Sequence, residues 1–187
     1  MSRKGTGADV ADRSAPSRRL YTGKIITLDV EDVTLPNGVD ARFEIVGHPG
    51  GAAVVPVDDL LRVCLLRQYR HVTGQWLWEI PAGKLDGRDP SETARLELAE
   101  EAGLAAGRLV SLGSVWASPG IFTEVVHLFL ARDLTSVTSS PEQDEVLEVH
   151  WIPLAEASRR ALNGDYVDAK TVIALLRAAH HLGLPLG

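Results

Sequence analysis

The chain has 187 residues, of which 45% are hydrophobic, so it can bury one substantial core, and a single domain with a small appendage is expected. Its formal net charge of −6 argues against a nucleic-acid-binding protein, because such proteins carry basic surfaces that displace counterions from phosphates. A small anionic substrate would therefore need local help from arginine side chains or from a metal ion.

The first sixteen residues, 1–16, are rich in Ser, Gly, Arg and Lys and contain no apolar run that would serve as a signal peptide. We expect them to form a disordered tail. No later segment reaches the ~18 apolar residues that a membrane-spanning helix needs. Cys64 is the only cysteine and lies in an apolar run, which excludes an internal disulfide and predicts a small buried side chain. Together these features favour a soluble protein of the reducing cytoplasm.

Residues 17–47 are predicted to form a small antiparallel β arm ahead of the main domain. Runs rich in β-branched and aromatic residues cover 24–30, 33–35 and 41–46, and the sequence Pro-Asn-Gly at 36–38 is typical of a tight turn. An isolated arm of this size buries little apolar surface, so it is consistent with a dimer.

The main domain, 48–187, mixes strand-like and helical patterns without regular alternation of strand and helix. This favours an α+β fold, or an α/β/α sandwich, over a doubly wound parallel sheet. The predicted strands are 52–57, 62–70, 109–116, 125–131 and 147–151, and the predicted helices are 90–102, 154–162 and 169–180.

The predicted helix over 90–102 has well-marked ends. Asp89 can cap its first turn, Pro90 suits the first helical position, and Glu92 completes a capping box three residues after the cap. Gly103 supplies the stop. The sequence therefore fixes where this helix begins and ends, and with it the direction in which each side chain points.

Three glutamates, Glu97, Glu100 and Glu101, fall within a sector of about 100° on this helix. Like charges so close repel one another, so a cation is expected beside them. A cluster of oxygen ligands without a neighbouring cysteine suits Mg²⁺ or Mn²⁺ better than zinc. The alternative is a solvated acidic face, which many glutamate-rich helices carry.

The segment from Gly83 to residue 104 resembles the signature box of the Nudix hydrolases, which runs Gly-x5-Glu-x7-Arg-Glu-hydrophobic-x-Glu-Glu-x-Gly-hydrophobic. The resemblance implies that the three glutamates bind metal, and it implies a mixed β-sheet between helices. The sequence departs from the box in two places. One residue is missing, so that Asp89 or Glu92 would have to stand for the first glutamate, and Leu96 replaces the arginine. Of the two substitutes, Asp89 is expected to serve as the helix cap.

Outside the box, the chain resembles the ADP-ribose pyrophosphatase branch of nucleoside diphosphate sugar hydrolases. This implies hydrolysis of ADP-ribose to AMP and ribose 5-phosphate. The alternatives are a hydrolase of GDP-mannose or of many nucleotide sugars, a sensor that binds a nucleotide sugar without cutting it, and a hydrolase of RNA or oxidised nucleotides, which the acidic charge disfavours. The matching pieces are 67–70 (Arg-Gln-Tyr-Arg), 78–83 (Trp-Glu-Ile-Pro-Ala-Gly), 118–120 (Ser-Pro-Gly), 144–149 (Asp-Glu-Val-Leu-Glu-Val) and 168–171 (Asp-Ala-Lys-Thr).

The resemblance also implies which residues act in catalysis. The backbone carbonyl of Ala82 would join the glutamates as a metal ligand, and Glu100 is counted among the catalytic residues as well as the ligands. Glu145 is the preferred counterpart of the family's late glutamate, which acts as the base or orients it. Glu142 and Asp144 remain open as alternatives for this role.

Substrate contacts are implied on two elements. Arg70 would meet the phosphates, with Arg67 as a second candidate, because a guanidinium presents several donors to a diphosphate. Arg42 on the arm would reach the substrate of a partner subunit in a homodimer with swapped arms. Ser118 lacks the neighbours of a nucleophile, and the following turn with Gly120 would shape the pocket. Aromatic candidates for stacking on the base are Phe43, Trp76 and Trp78, of which Trp78 is expected to pack in the core.

Overall fold

A computed structural model describes residues 17–141 and 146–185 of the chain. The predicted tail, 1–16, therefore lies outside the described residues. Within these two ranges thirteen elements follow one another, ten strands and three helices. Within the described ranges, no helix is long and apolar enough to cross a membrane.

The N-terminal segment forms a three-stranded antiparallel sheet, which we call the arm. Its strands are β1 (Ser17–Thr22), β2 (Thr27–Thr34) and β3 (Asp40–Gly47), in the order β1-β2-β3. Gly38 closes the turn between β2 and β3 at a φ of 82°, a conformation that favours glycine. The predicted runs 24–30 and 33–35 form one strand, and β1 is absent from the predicted elements because its side chains are exposed on both faces.

The main domain contains two sheets. A mixed sheet has the order β7-β4-β9-β8, in which β4 and β9 are parallel and the other neighbours are antiparallel. An antiparallel sheet has the order β10-β5-β6. The strands are β4 (Gly51–Pro56), β5 (Arg62–Arg70), β6 (Gln75–Glu79), β7 (Ala82–Lys84), β8 (Leu104–Trp116), β9 (Val125–Ser136) and β10 (Leu147–Pro153), and the helices are α1 (Pro90–Ala102), α2 (Leu154–Asn163) and α3 (Ala169–His181).

Strand β4 is buried on both faces, and its alternating side chains enter two separate hydrophobic clusters. Ala52 and Val54 pack with Leu98 of α1, whereas Val55 packs with Leu175 of α3 and with residues of α2. The mixed sheet therefore lies between α1 on one side and α2 and α3 on the other. This confirms the predicted α/β/α sandwich, in which both faces of the central strand are covered.

The predicted helices agree closely with the structure, and α1 has the predicted bounds. Strand β5 also has the predicted bounds, 62–70. Two short strands, β6 and β7, are missing from the predicted elements. Strand β7 has only three residues, too few to show a period of two, and it forms because β4 offers it backbone partners.

Candidate active site

The ends of α1 are fixed by the residues that the sequence marks. The side chain of Asp89 accepts a hydrogen bond from the backbone N–H of Ser91 at 2.8 Å, and Pro90 occupies the first turn. At the other end, Gly103 adopts the left-handed conformation, with a φ of 64°, and its N–H donates to the carbonyl of Ala99. Asp89 thus serves as the cap, and α1 lies across β7 at a defined rotation.

Glu101 is buried at the contact between α1 and β7. Only 2% of its surface is exposed, and Oε2 accepts a hydrogen bond from the backbone N–H of Ala82 at 2.9 Å. Glu101 lies three residues beyond Leu98 on the buried face of the helix, which also includes Ala94. The acidic sector therefore overlaps the apolar stripe at this position, and a carboxylate enters the core beside β7.

Glu97 contacts the next residue of the same short strand. A methyl group added at Gly83 would collide with the Glu97 carboxylate in its present position, so the carboxylate would have to move. Two glutamates from successive turns of α1 thus meet two successive residues of β7. Glu100 lies beside them, half-buried, and its backbone carbonyl accepts hydrogen bonds from the Ser139 hydroxyl and the Ser140 N–H.

The residues around the missing family arginine do not support the glutamates. Leu96, which occupies the arginine position, has 42% of its surface exposed. Arg95 points elsewhere and donates to the backbone carbonyl of Ala106 at 2.6 Å. The hydrogen bond from Ala82 is therefore one anchor that orients the Glu101 carboxylate in this chain.

The donor atoms at β7 suit a hard divalent cation. Within 17–141 and 146–185, no three His, Cys, Asp or Glu side chains are arranged to hold a metal ion by themselves. However, the carboxylates of Glu97 and Glu101 approach adjacent residues of one strand. Magnesium is commonly bound by one or two carboxylates, together with water and substrate phosphate, and does not need an all-protein cage. The residues present therefore fit a cation whose coordination the substrate completes.

A network of charged side chains lies behind the site. Glu79, with 2% of its side chain exposed, accepts two hydrogen bonds of 2.7 Å from Arg70 and one of 2.6 Å from Lys170. Lys170 also donates to Asp168 at 3.0 Å. Asp168 caps α3 by accepting from the N–H and hydroxyl of Thr171. Four charges of alternating sign thus join the ends of β5 and β6 to the start of α3.

The protonation states of this network follow from its ion pairs. Burial alone would raise the pKa of Glu79, but the hydrogen bonds and charges of Arg70 and Lys170 outweigh it and lower that pKa to about 2. Burial opposes the charge of Lys170, yet its carboxylate neighbours raise its pKa. The hydrogen bonds to Glu79 also raise the pKa of Arg70, with a smaller effect from Glu101. Glu79, Lys170 and Arg70 are therefore charged at neutral pH.

Sequence reasoning did not single out Glu79, Asp168 or Lys170 as site residues. Their positions lie in the short pieces, 78–83 and 168–171, that match the ADP-ribose pyrophosphatase branch. A charged residue next to apolar residues, as Glu79 is next to Ile80, was the available signal. Its partner on α3 is 91 residues away, and only the fold brings the two together.

The turn at 118–120 is joined to the arm. The carbonyl of Ser118 accepts hydrogen bonds from the N–H groups of Ile121 and Phe122, at 3.2 and 2.8 Å, which confirms the predicted turn. The carbonyl of Ile121 accepts from Val46 at the end of β3, and Val46 in turn accepts from Thr123. The candidate pocket residues Ser118 and Gly120 are therefore held by the last residues of the arm.

The arm residues are exposed. Arg42 has 69% of its side chain exposed and forms hydrogen bonds of 2.6 and 2.9 Å with Asp32 of the neighbouring strand. Phe43, the next residue on β3, points to the opposite face of the arm and is 39% exposed. Both side chains are thus accessible to another molecule.

The tryptophans of β6 have different environments. Trp78 packs against the main hydrophobic core and contacts the rings of His150 and Tyr166, at centroid distances of 4.9 and 6.2 Å. This confirms its predicted role in packing. Trp76 is 40% exposed, and the Arg67 guanidinium lies 5.6 Å from its ring centroid.

The candidate bases at 142, 144 and 145 lie outside the described residues.

Comparison with known proteins finds a matching family model, two similar enzymes and a similar solved structure, each of which covers most of the chain. The NUDIX domain model matches residues 47–176. The ADP-ribose pyrophosphatase of Bacillus subtilis (strain 168) is 38% identical over 167 residues, which are 88% of this chain and 90% of the relative. A GDP-mannose pyrophosphatase of Salmonella arizonae is 32% identical over 168 residues, which cover 81% of this chain and 87% of the relative. The crystal structure of ADP compounds hydrolase is similar with a TM-score of 0.79 at 25% identity, covering 90% of this chain and 92% of that one.

Proposed function

Because the chain belongs to the Nudix family of hydrolases, we propose that it hydrolyses the diphosphate linkage of a nucleoside diphosphate sugar. ADP-ribose is the preferred substrate, with AMP and ribose 5-phosphate as products. The observation that supports this most directly is the approach of Glu97 and Glu101 to adjacent residues of β7. A protein that only sensed the ligand would not need paired carboxylates at a strand against which a phosphate-bound cation fits.

The proposed cofactor is Mg²⁺, with Mn²⁺ as a substitute. Its ligands would be the carboxylates of Glu97, Glu100 and Glu101 and the backbone carbonyl of Ala82. When bound, such a cation neutralises the phosphate oxygens that repel an attacking water and lowers the pKa of that water. Glu101 is already oriented for this role, since its second oxygen is fixed by the Ala82 N–H.

The proposed phosphate contact is Arg70, at the end of β5, with Arg67 of the same strand as the second candidate. Arg70 uses Nε and one terminal nitrogen to bind Glu79, and 41% of its side chain remains exposed. A guanidinium has five donors, so others are available to the diphosphate. The Ser118 and Gly120 turn would shape the pocket wall.

We propose that the protein acts as a homodimer in which the arm of each subunit completes the partner's site. The exposure of Arg42 and Phe43 supports this, because both side chains of the arm are accessible to a second subunit. Phe43 would stack on the base and Arg42 would bind the substrate. The bond between the Val46 backbone and the 118–124 segment would place the arm near the pocket.

The proposed base is Glu145, which would take the proton from the attacking water, with Glu142 and Asp144 as alternatives. Attack of the water oxygen on one phosphorus would break the bond from that phosphorus to the bridging oxygen, which leaves as part of the other monophosphate product. Both products carry one phosphate each, so the oxygen of the water ends on one phosphorus only. Hydrolysis in ¹⁸O water followed by mass spectrometry identifies that phosphorus.

A panel of nucleotide sugars tests the proposed substrate. ADP-ribose, GDP-mannose and dinucleotides should be incubated with Mg²⁺ or Mn²⁺, and nucleoside monophosphates measured by chromatography. We expect the highest kcat/KM with ADP-ribose. A higher value with GDP-mannose would favour the second candidate, which the Salmonella arizonae relative supports. Absence of hydrolysis with every compound, in a protein that still binds one, would favour a sensor.

A further inference from the structure

The charged network of Asp168, Lys170, Glu79 and Arg70 connects α3 to the candidate phosphate contact. We infer that Asp168 and Lys170 are positioning residues, which act on Glu79 so that it holds the Arg70 guanidinium toward the diphosphate. This inference rests on the proposed function, since it assigns a role to residues that do not touch the substrate themselves. It extends the site from the β5–β6 hairpin to the first turn of α3.

The first step is the geometry of the Arg70 and Glu79 pair. Glu79 is opposite Leu66 in the register of β5 and β6, four residues from Arg70 on the same face. The two α-carbons are therefore separated by roughly 13 Å along the strand, at about 3.3 Å per residue. Arg70 must extend along the sheet to reach Glu79. A long side chain held in one extended conformation loses rotamer entropy, and the two hydrogen bonds that Arg70 donates to Glu79 compensate for that loss in advance of substrate binding.

The second step is the role of Lys170. Arg70 lies in the field of two carboxylates, Glu79 and Glu101, which together would offset its positive charge and weaken its attraction for a phosphate. Lys170 donates to the Glu79 oxygen that already accepts from Nη2 of Arg70. Lys170 therefore offsets the negative charge of Glu79, while both hydrogen bonds between Arg70 and Glu79 are kept. Arg70 is held by a carboxylate and still presents a positive charge.

The third step is the placement of Lys170 itself. Its ammonium group is largely buried, with 17% of the side chain exposed, and it reaches Glu79 because Asp168 binds it at 3.0 Å. Asp168 is in turn fixed as the cap of α3 through Thr171, whose hydroxyl also accepts from the N–H of Ile80, the residue after Glu79. The first turn of α3 and the end of β6 are thus joined by two independent contacts. Glu79 accepts from Nε and Nη2 of Arg70, and within the described residues Nη1 has no hydrogen-bond partner. Nη1 is therefore available to an anion.

A double-mutant cycle separates this role from a purely structural one. The variants are Lys170→Met, Arg70→Ala and the double variant, and the quantities are the Kd for ADP-ribose in EDTA by calorimetry and kcat and KM in Mg²⁺. We expect Lys170→Met to raise Kd and KM by roughly tenfold, about what one charge-assisted hydrogen bond contributes, with kcat changed much less. In the Arg70→Ala background the same substitution should have no further effect, because Lys170 acts through Arg70.

Controls distinguish the possible failures. Arg177→Met, which removes a hydrogen bond of 2.9 Å between α3 and the Leu112 carbonyl, should lower the Tm without changing Kd. Lys170→Arg should retain most of the affinity. If Lys170→Met does not fold, Asp168→Asn replaces it in the cycle. Multiplicative effects in the double variant, or an unchanged Kd in folded Lys170→Met, would overturn the positioning role while leaving the proposed function intact. A wild-type protein that neither binds nor cuts any nucleotide sugar would overturn both.

Discussion

The carboxylate of Glu97 lies directly against Gly83, at a distance that leaves no room for a side chain at position 83. The φ of Gly83 is not in the left-handed region, so the backbone itself would accept alanine. A larger residue at position 83 would therefore act by displacing a side chain of α1, and not by straining the backbone of β7. The proposed role of Glu97 can therefore be tested by a substitution at position 83 as well as by one at Glu97 itself.

The variant Gly83→Ala should displace the Glu97 carboxylate and lower kcat/KM by about a hundredfold, the scale expected when a catalytic group moves by about an ångström. Steady-state kinetics with ADP-ribose measures the loss. Because the colliding atoms are the far end of a flexible side chain, the carboxylate can turn away, and the Tm should fall little. An unchanged kcat/KM in Gly83→Ala would contradict the proposed role of Glu97, and a large fall in Tm would show that the backbone of β7 has moved instead.

The buried carboxylate of Glu101 gives a second prediction. Glu101→Gln retains an oxygen that can accept from the Ala82 N–H but removes the negative charge. We expect a loss in kcat on the order of a hundredfold or more and weaker Mn²⁺ binding in calorimetry. Glu97→Gln should behave similarly. Glu156→Gln on α2 is the matched control, a glutamate in a helix outside the site, and it should leave both quantities unchanged. Full activity in either site variant would contradict the proposed metal ligands.

The proposed base gives a third prediction. Glu145→Gln should lower kcat by a factor of about 10² to 10⁴, as expected for loss of a general base. The affinity for Mn²⁺ should stay the same, because Glu145 is not among the proposed ligands. The same measurements on Glu142→Gln and Asp144→Asn provide the comparison. An unchanged rate in Glu145→Gln, with a loss in one of the other two, would move the base to that residue.

Much of the fold could be predicted from the sequence, because the signals for α1 are local. Asp89, Pro90 and Gly103 mark its ends within the helix and its flanks, and the structure places them as predicted. Strand β7 could not be predicted, since three residues carry no period and their pairing depends on β4. Local patterns fix elements that stabilise themselves, whereas short strands depend on their neighbours.

The candidate site shows the same division. The spacing of Glu97 and Glu101 could be read from the sequence, but the burial of Glu101 could not, because its hydrogen-bond partner is the backbone of Ala82. The ion pair of Glu79 and Lys170 could not be predicted from the sequence either. Contacts between residues 91 positions apart depend on how the sheet and α3 pack, which no window of sequence contains.

The acid stability of the protein should depend on Glu79. Its pKa is about 2 in the folded protein, against an ordinary value of 4.5, so its carboxylate stabilises the fold above pH 4.5. That contribution, on the order of 3 kcal/mol, should be lost as the pH falls from about 4.5 to about 2. Urea unfolding at a series of pH values measures the free energy. Glu79→Gln should be less stable at neutral pH, since Arg70 and Lys170 lose their partner. Its free energy of unfolding should also change less with pH between about 4.5 and about 2. Equal slopes for both proteins would contradict the assignment.

The arrangement of arms in the proposed dimer can be tested by mixing two inactive variants. Arg42→Ala removes a residue that is proposed to act in the partner's site, whereas Glu97→Gln inactivates the subunit that carries it. In a mixed dimer with swapped arms, one site combines an intact Glu97 with an intact Arg42, and the other site has both defects.

Random mixing of the two variants makes half of the dimers mixed, so about a quarter of all sites should be intact and activity should recover to about a quarter of the wild-type value. Subunits should be exchanged by unfolding and refolding them together, and each variant refolded alone is the control. Sedimentation measurements should show dimers in all samples. If each arm instead served its own subunit, every site would carry one defect or the other, and mixing would restore nothing beyond the average of the two variants.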